Sequence, residues 1–150
     1  MKILANVLPQ INLPTLVAPR KKASDYSTKV APYFDFRSGE FVFDTGGRIK
    51  IATPQETFEQ WCIKVACTER FSKLAYTDRY GVELNYIPTM DDIYAAKSQI
   101  IRTITEAIMA NPQTESVKNF SFKVRGDNVW VSFEVKGKSF DEATRIEVIV

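Results

Sequence analysis

A chain of 150 residues, 45% hydrophobic and 25% charged, has the composition of an ordinary globular protein and the length to bury one core without help from disulfides or metals. Its net charge of +2 is too small to point to nucleic acid or to a membrane surface. The chain contains no histidine, which removes the commonest general base and the usual zinc ligand together, so hydrolase and metalloenzyme chemistry would need unusual groups.

Residues 1–32 carry Pro9, Pro14, Pro19 and Pro32, which block helix and central-strand pairing and favour extended backbone. The same prolines, with Asn6, Gln10 and Asn12, interrupt what a secretory signal keeps as a continuous apolar run. The expectation is an extended Pro-rich arm. Its apolar residues, among them Ile3, Leu4, Val7, Leu8, Ile11 and Leu13, are too many for a solvated linker, so the arm is expected to lie on a surface, either a partner's or its own domain's. Arg20, Lys21 and Lys22 form a short basic group with no basic stripe elsewhere to extend it, and no specific nucleic-acid contact is expected.

In residues 33–44, Phe34 and Phe36 alternate on one side of Ser38-Gly39, and Phe41 and Phe43 alternate on the other, which predicts a β-hairpin. Gly46-Gly47 breaks the chain before a short alternating piece through Ile49 and Ile51. Thr53, Pro54 and Glu56 then spell a capping box with proline at the first helical position. Phe58, Trp61, Cys62 and Val65 follow at helical spacing, which predicts a helix over 54–68. Cys62 and Cys67 fall on different faces of it, unsuited to a disulfide or a shared metal, and are read as small apolar fillers in a reducing compartment.

The connector 67–84, CTERFSKLAYTDRYGVEL, is unusually rich for a loop. It mixes Glu69, Arg70, Asp78, Arg79 and Glu83 with Phe71, Tyr76 and Tyr80, a combination suited to fixed contacts through ion pairs and aromatic anchors. Beyond it, Thr89 and Asp92 repeat the capping signal, and Ile93, Ala96, Ile100, Ile104 and Ile108 predict the buried stripe of a longer helix that ends at Asn111-Pro112. The tail switches to a period of two. Phe120, Phe122 and Val124, a turn at 125–128, then Val129, Val131, Phe133 and Val135 read as two strands, and 145–150 reads as a third with Ile146, Val148 and Val150 on one face. No apolar run reaches the ~18 residues of a membrane-spanning helix, so no membrane insertion is expected. The order predicts an α+β fold in which two main helices pack on a C-terminal antiparallel β-meander, with an N-terminal hairpin and an arm; residues 33–150 form its one domain.

Three signals invite chemistry. Arg125-Gly126-Asp127 has the composition of an adhesion tripeptide, but its place between two alternating strands explains it as turn chemistry. Asp91 and Asp92 are adjacent carboxylates at a helix start, where capping accounts for them. Glu69 and Arg70 are open to two readings: exposed charges at a helix end, or a partly buried pair that fixes the connector against the second helix or a neighbouring subunit.

Taken together, these residues resemble the small baseplate wedge proteins, or sheath initiators, of contractile phage tails and related bacteriocins, in particular their Gram-positive prophage type. The resemblance rests on the hairpin Phe34-Asp35-Phe36-Arg37-Ser38-Gly39-Glu40-Phe41-Val42, the pair Glu69-Arg70, the element Tyr80-Gly81, the helix ending near Asn-Pro and the final meander. Cys67-Thr68 and Asp78-Arg79 stand where the broader family often has Pro-Gly and a proline. The resemblance implies a structural component, not an enzyme and without cofactors, expected in six copies per particle. It would be assembled in the host cytoplasm and then held in the tail baseplate, in contact with the sheath protein, other baseplate wedge proteins and tube or hub proteins.

Glu69, Arg70, Tyr80, Gly81, Ile146, Val148 and Val150 are the interface residues expected on this basis. The terminal strand 145–150 carries no gatekeeping charge at its end, and its edge is the place where strand addition by the sheath is expected, with Val148 the position to block if its N–H faces outward. A free-standing protein-binding or regulatory module on the same frame is the competing reading. An enzyme using Asp91, Asp92 or Glu69 has little support.

Overall fold

The computed structural model describes residues 30–150, apart from Tyr86 and Asp127. The expected arm lies outside the described residues up to residue 29, and so does the aspartate of the 125–127 tripeptide.

The predicted hairpin forms from β1 (Phe34–Asp35) and β2 (Glu40–Phe41), paired antiparallel around a turn in which Gly39 takes a φ of 75°. The short piece after Gly46-Gly47 closes this hairpin into a ring. Tyr33 N–H donates to Lys50 O at 2.8 Å, Lys50 N–H to Val42 O at 2.8 Å, and Val42 N–H to Tyr33 O at 3.1 Å, so three backbone segments satisfy one another in a cycle. Phe34 N–H donates to Gln60 Oε1 at 2.7 Å and ties this ring to the first helix.

Helix α1 (Pro54–Ala66) begins with both halves of the capping box: Glu56 N–H donates to Thr53 Oγ1 at 3.2 Å, and Thr53 N–H donates to Glu56 Oε2 at 2.7 Å. The Thr53 backbone bond holds the Glu56 carboxyl below its usual range against the opposing cost of burial, with further help from Lys50. The helix stops at Ala66, earlier than the expected 68, and Cys67 caps it. Cys62 is therefore the buried filler that the sequence predicts, its thiol pushed up by desolvation, whereas Cys67 is exposed. The difference arises because the chain leaves the helical stripe before Cys67 can turn inward.

Helix α2 (Ile93–Met109) is capped by Asp92, whose Oδ1 accepts from Tyr94 N–H at 2.8 Å. Its buried stripe runs through Ile100, Thr103, Ile104, Ala107 and Ile108. Ile93, predicted to share that stripe, is exposed because burial sets in only after the first turn.

The meander consists of β3 (Thr114–Arg125), β4 (Asn128–Gly137) and β5 (Thr144–Ile149) in the order β3-β4-β5. Strand β3 starts at Thr114, before the predicted Phe120. A register shift between Lys118 and Ser121, with Asn119 at a φ of 57°, inserts an extra residue and breaks the alternation by which its first half would have been recognised. Helix α1 packs against β5 and α2 against β3, enclosing Cys62, Val65, Ile104, Ile108, Val131 and Phe133. Each large apolar side chain among these contributes about 1.5–3 kcal/mol on burial.

Candidate functional site

The connector folds back so that its two ends meet. Val82 N–H donates to Thr68 O at 2.8 Å and Arg70 N–H donates to Val82 O at 2.9 Å, an isolated parallel bridge between Glu69 and Val82. Across it the Arg70 side chain donates from Nε to Gly81 O at 3.2 Å and from Nη1 to Glu83 Oε1 at 2.8 Å. The Arg70 side chain is 15% exposed and that of Glu83 42%, so the cation is the partly buried member and its charge is met inside the connector.

Glu83 N–H then donates to Thr103 Oγ1 on α2 at 2.9 Å. The partner of Arg70 is thus neither Glu69, which is exposed, nor a bare helix end. Thr103, invisible as a site residue in the sequence, joins this chain because a buried hydroxyl on the helix stripe offers the connector an acceptor.

Gly81 is buried where the two ends cross. Its φ is 98°, and a Cβ there would lie 2.6 Å from Thr68 O and 3.0 Å from Arg70 N, so both the dihedral and the space require glycine. Next to it, Tyr80 stacks on Tyr76 with ring centroids 4.2 Å apart and meets Trp61 of α1 edge-on at 6.2 Å. Burial, with the neighbouring Tyr76 as a smaller cause, pushes the Tyr80 phenol up to about 12. Between these anchored ends Phe71 and Leu74 project into solvent, and Phe71 holds a φ of 63°. The structure therefore brings Glu69, Arg70, Tyr80 and Gly81 into one buttressed loop with two exposed apolar side chains at its rim.

The second expected surface is the outer edge of β5. Ile146 and Val148 are buried, packed into the core, and Val150 is partly buried against it, so these side chains face inward. The register pairs Ile146 with Phe133 and Val148 with Val131, and Val150 N–H donates to Val129 O at 2.9 Å. In an antiparallel ladder hydrogen-bonded and open pairs alternate. That phase turns the N–H groups of Ile146 and Val148 toward β4 and leaves those of Arg145, Glu147 and Ile149 pointing outward. The condition attached to Val148 is therefore not met: its N–H belongs to the ladder inside the sheet. Among the described residues no other strand covers the outward groups.

A groove of about 1050 Å³ runs beside this edge, bounded by Phe36 and Arg37 of the hairpin, Ile63 of α1 and its cap Cys67, and Lys123 and Trp130 of the sheet. Among the described residues there is no group of three or more histidine, cysteine, aspartate or glutamate side chains able to hold a metal ion. No described helix is long and apolar enough to cross a membrane. Asp92 is occupied as the cap of α2, as the sequence predicts.

No curated protein matches the chain. A family model described as contractile injection system sheath initiator matches residues 32–139, a span that takes in the hairpin ring, both helices, the connector and the first two strands of the meander and stops short of β5. Its agreement with the resemblance carried by the hairpin, the Glu69-Arg70 pair, Tyr80-Gly81 and the α+β order makes the assignment plain: the chain belongs to the family of contractile injection system sheath initiators.

Proposed function

We propose that this chain starts the sheath of a contractile tail by receiving an extended segment of the sheath protein on the outer edge of β5. The observation that carries this reading is the row of outward backbone groups at Arg145, Glu147 and Ile149 on an unpaired edge strand. Strand addition draws its strength from main-chain hydrogen bonds, and an edge left without bulge or proline is the substrate it needs.

The buttressed connector supplies a second attachment. Phe71 and Leu74, held out by the Arg70-Glu83 and Tyr80-Gly81 anchors, present apolar area to other baseplate wedge proteins, with Glu69 beside them. Tube or hub proteins are further neighbours in the same assembly. The role is structural, with no catalytic group and no cofactor; six copies would follow the symmetry of the tail, assembled in the host cytoplasm and retained in the baseplate. Residues 33–150 act in it as one unit, preceded by the arm.

Replacing Glu147 by proline removes an outward N–H and leaves the β4–β5 ladder intact, whereas Glu147→Ala keeps the backbone and changes only the side chain. Particles carrying Glu147→Pro should show tubes without sheath, or sheath polymerised apart from the baseplate, in electron micrographs, with the alanine variant normal. Sheathed tails of normal length with a folded Glu147→Pro chain would overturn the reading.

A further inference from the structure

The groove beside β5 also has a chemical character, and it bears on what kind of strand fits there. Resting on the strand-addition reading above, we infer that the segment received at β5 is acidic and alternately apolar, with carboxylates on the face away from the core.

An incoming strand would present its side chains to two different surroundings, since successive residues point to opposite faces. On the inner face it would continue the row of Ile146 and Val148 and lie beside Ile63 of α1 and Phe36 of the hairpin, an apolar wall. On the outer face its side chains would stand next to those of Arg145, Glu147 and Ile149, all three exposed. The groove's charged lining is Arg37, Lys123, Arg145 and Glu147, three cations against one carboxylate.

Glu147 is the one carboxylate of that lining, and across the ladder Arg145 is paired in register with Glu134 of β4. Arg145 Nη2 donates to the Ser121 hydroxyl at 3.4 Å, which uses one of the five N–H donors of its guanidinium and leaves others to meet a partner's carboxylate. A lysine or arginine opposite Arg145 would face like charge, which disfavours pairing, whereas opposite Glu147 a carboxylate would be the disfavoured neighbour.

The test uses the folded chain labelled with 15N and two synthetic peptides of equal length, one alternating glutamate with valine and the other lysine with valine. The glutamate peptide should shift the amide signals of Arg145, Glu147 and Ile149 and bind about tenfold or more tightly than the lysine peptide, a difference that shrinks with added salt. An Arg37→Glu, Arg145→Glu double variant, checked for folding by circular dichroism, should reverse the order of the two peptides.

Equal binding of both peptides at these amides would overturn the charge assignment and leave the edge reading standing. Preference for the lysine peptide would overturn the charge assignment in the same way. If neither peptide moves these three amides, the edge reading falls and the charge assignment falls with it.

Discussion

Arg70 and Glu83 lie on opposite sides of the connector, and their side chains meet at 2.8 Å while Arg70 also holds the carbonyl of Gly81. The pair converts a long excursion between two helices into a closed loop whose base is pinned to α2 through Thr103. Its role is first architectural: whatever the connector presents to a neighbour is presented from a fixed base.

Arg70→Ala should therefore cost the isolated chain about 1–3 kcal/mol, the range for losing hydrogen bonds to a charged group that is only partly shielded from water. Urea unfolding measures this directly. On the proposed function the yield of sheathed tails should fall further than that loss explains, and Arg70→Lys should restore little, because a lysine cannot reach Gly81 O and Glu83 at once in the fork that arginine provides. Normal tails from the alanine variant would show that the pair serves only the fold.

Gly81→Ala should be among the most damaging single substitutions outside the core. A methyl group would meet Thr68 O at 2.6 Å on a backbone held at a φ of 98°, a combination of clash and strain worth about 2–4 kcal/mol. The loss should appear as a lowered urea midpoint with loss of the Tyr80 ring contacts in near-UV circular dichroism. A variant as stable as the parent would mean that the connector opens at little cost.

Thr103→Val keeps the shape of the buried stripe but removes the acceptor for Glu83 N–H. The expected cost is about 1–3 kcal/mol, that of leaving a partly buried backbone donor without its partner. Hydrogen exchange at the Glu83 amide should accelerate more than exchange in the β3–β4 ladder. Unchanged exchange at that amide would contradict the bond.

The Tyr80 phenol, raised to about 12 by burial, ionises later in the folded chain than in the unfolded one, where an ordinary tyrosine titrates near about 10. Between these values the folded state binds more protons, so the stability contributed by Tyr80 is fully present below the unfolded value and is lost as pH rises toward the folded value. Stability should thus decline over that alkaline window, and the decline should be smaller in Tyr80→Phe. Ultraviolet titration of the folded chain should show a phenol ionising at about 12 that is absent in Tyr80→Phe.

Much of the architecture is legible in the sequence because it depends on neighbours along the chain. The capping box at Thr53, Pro54 and Glu56, the cap at Asp92, the helical spacing of Phe58, Trp61, Cys62 and Val65, and the alternation from Val129 to Val135 all specify local dihedrals and one buried face, and each of these elements forms. The order of motifs also identifies the family before any contact is seen. Local pattern fails where one residue changes the phase, as at Asn119, whose bulge hides the first half of β3.

Tertiary structure alone decides the partners and the facing of groups. Composition shows that Arg70 wants an anion, but only the crossing of the connector selects Glu83 over the adjacent Glu69, and only the packing of α2 makes Thr103 the acceptor beneath it. Likewise the alternation of Ile146, Val148 and Val150 predicts one buried face of β5, yet it is silent on which N–H groups point outward. That is fixed by the phase of hydrogen bonds with β4, and it assigns the free edge to Arg145, Glu147 and Ile149, because side-chain direction follows the period of the strand itself whereas backbone direction follows the strand it pairs with.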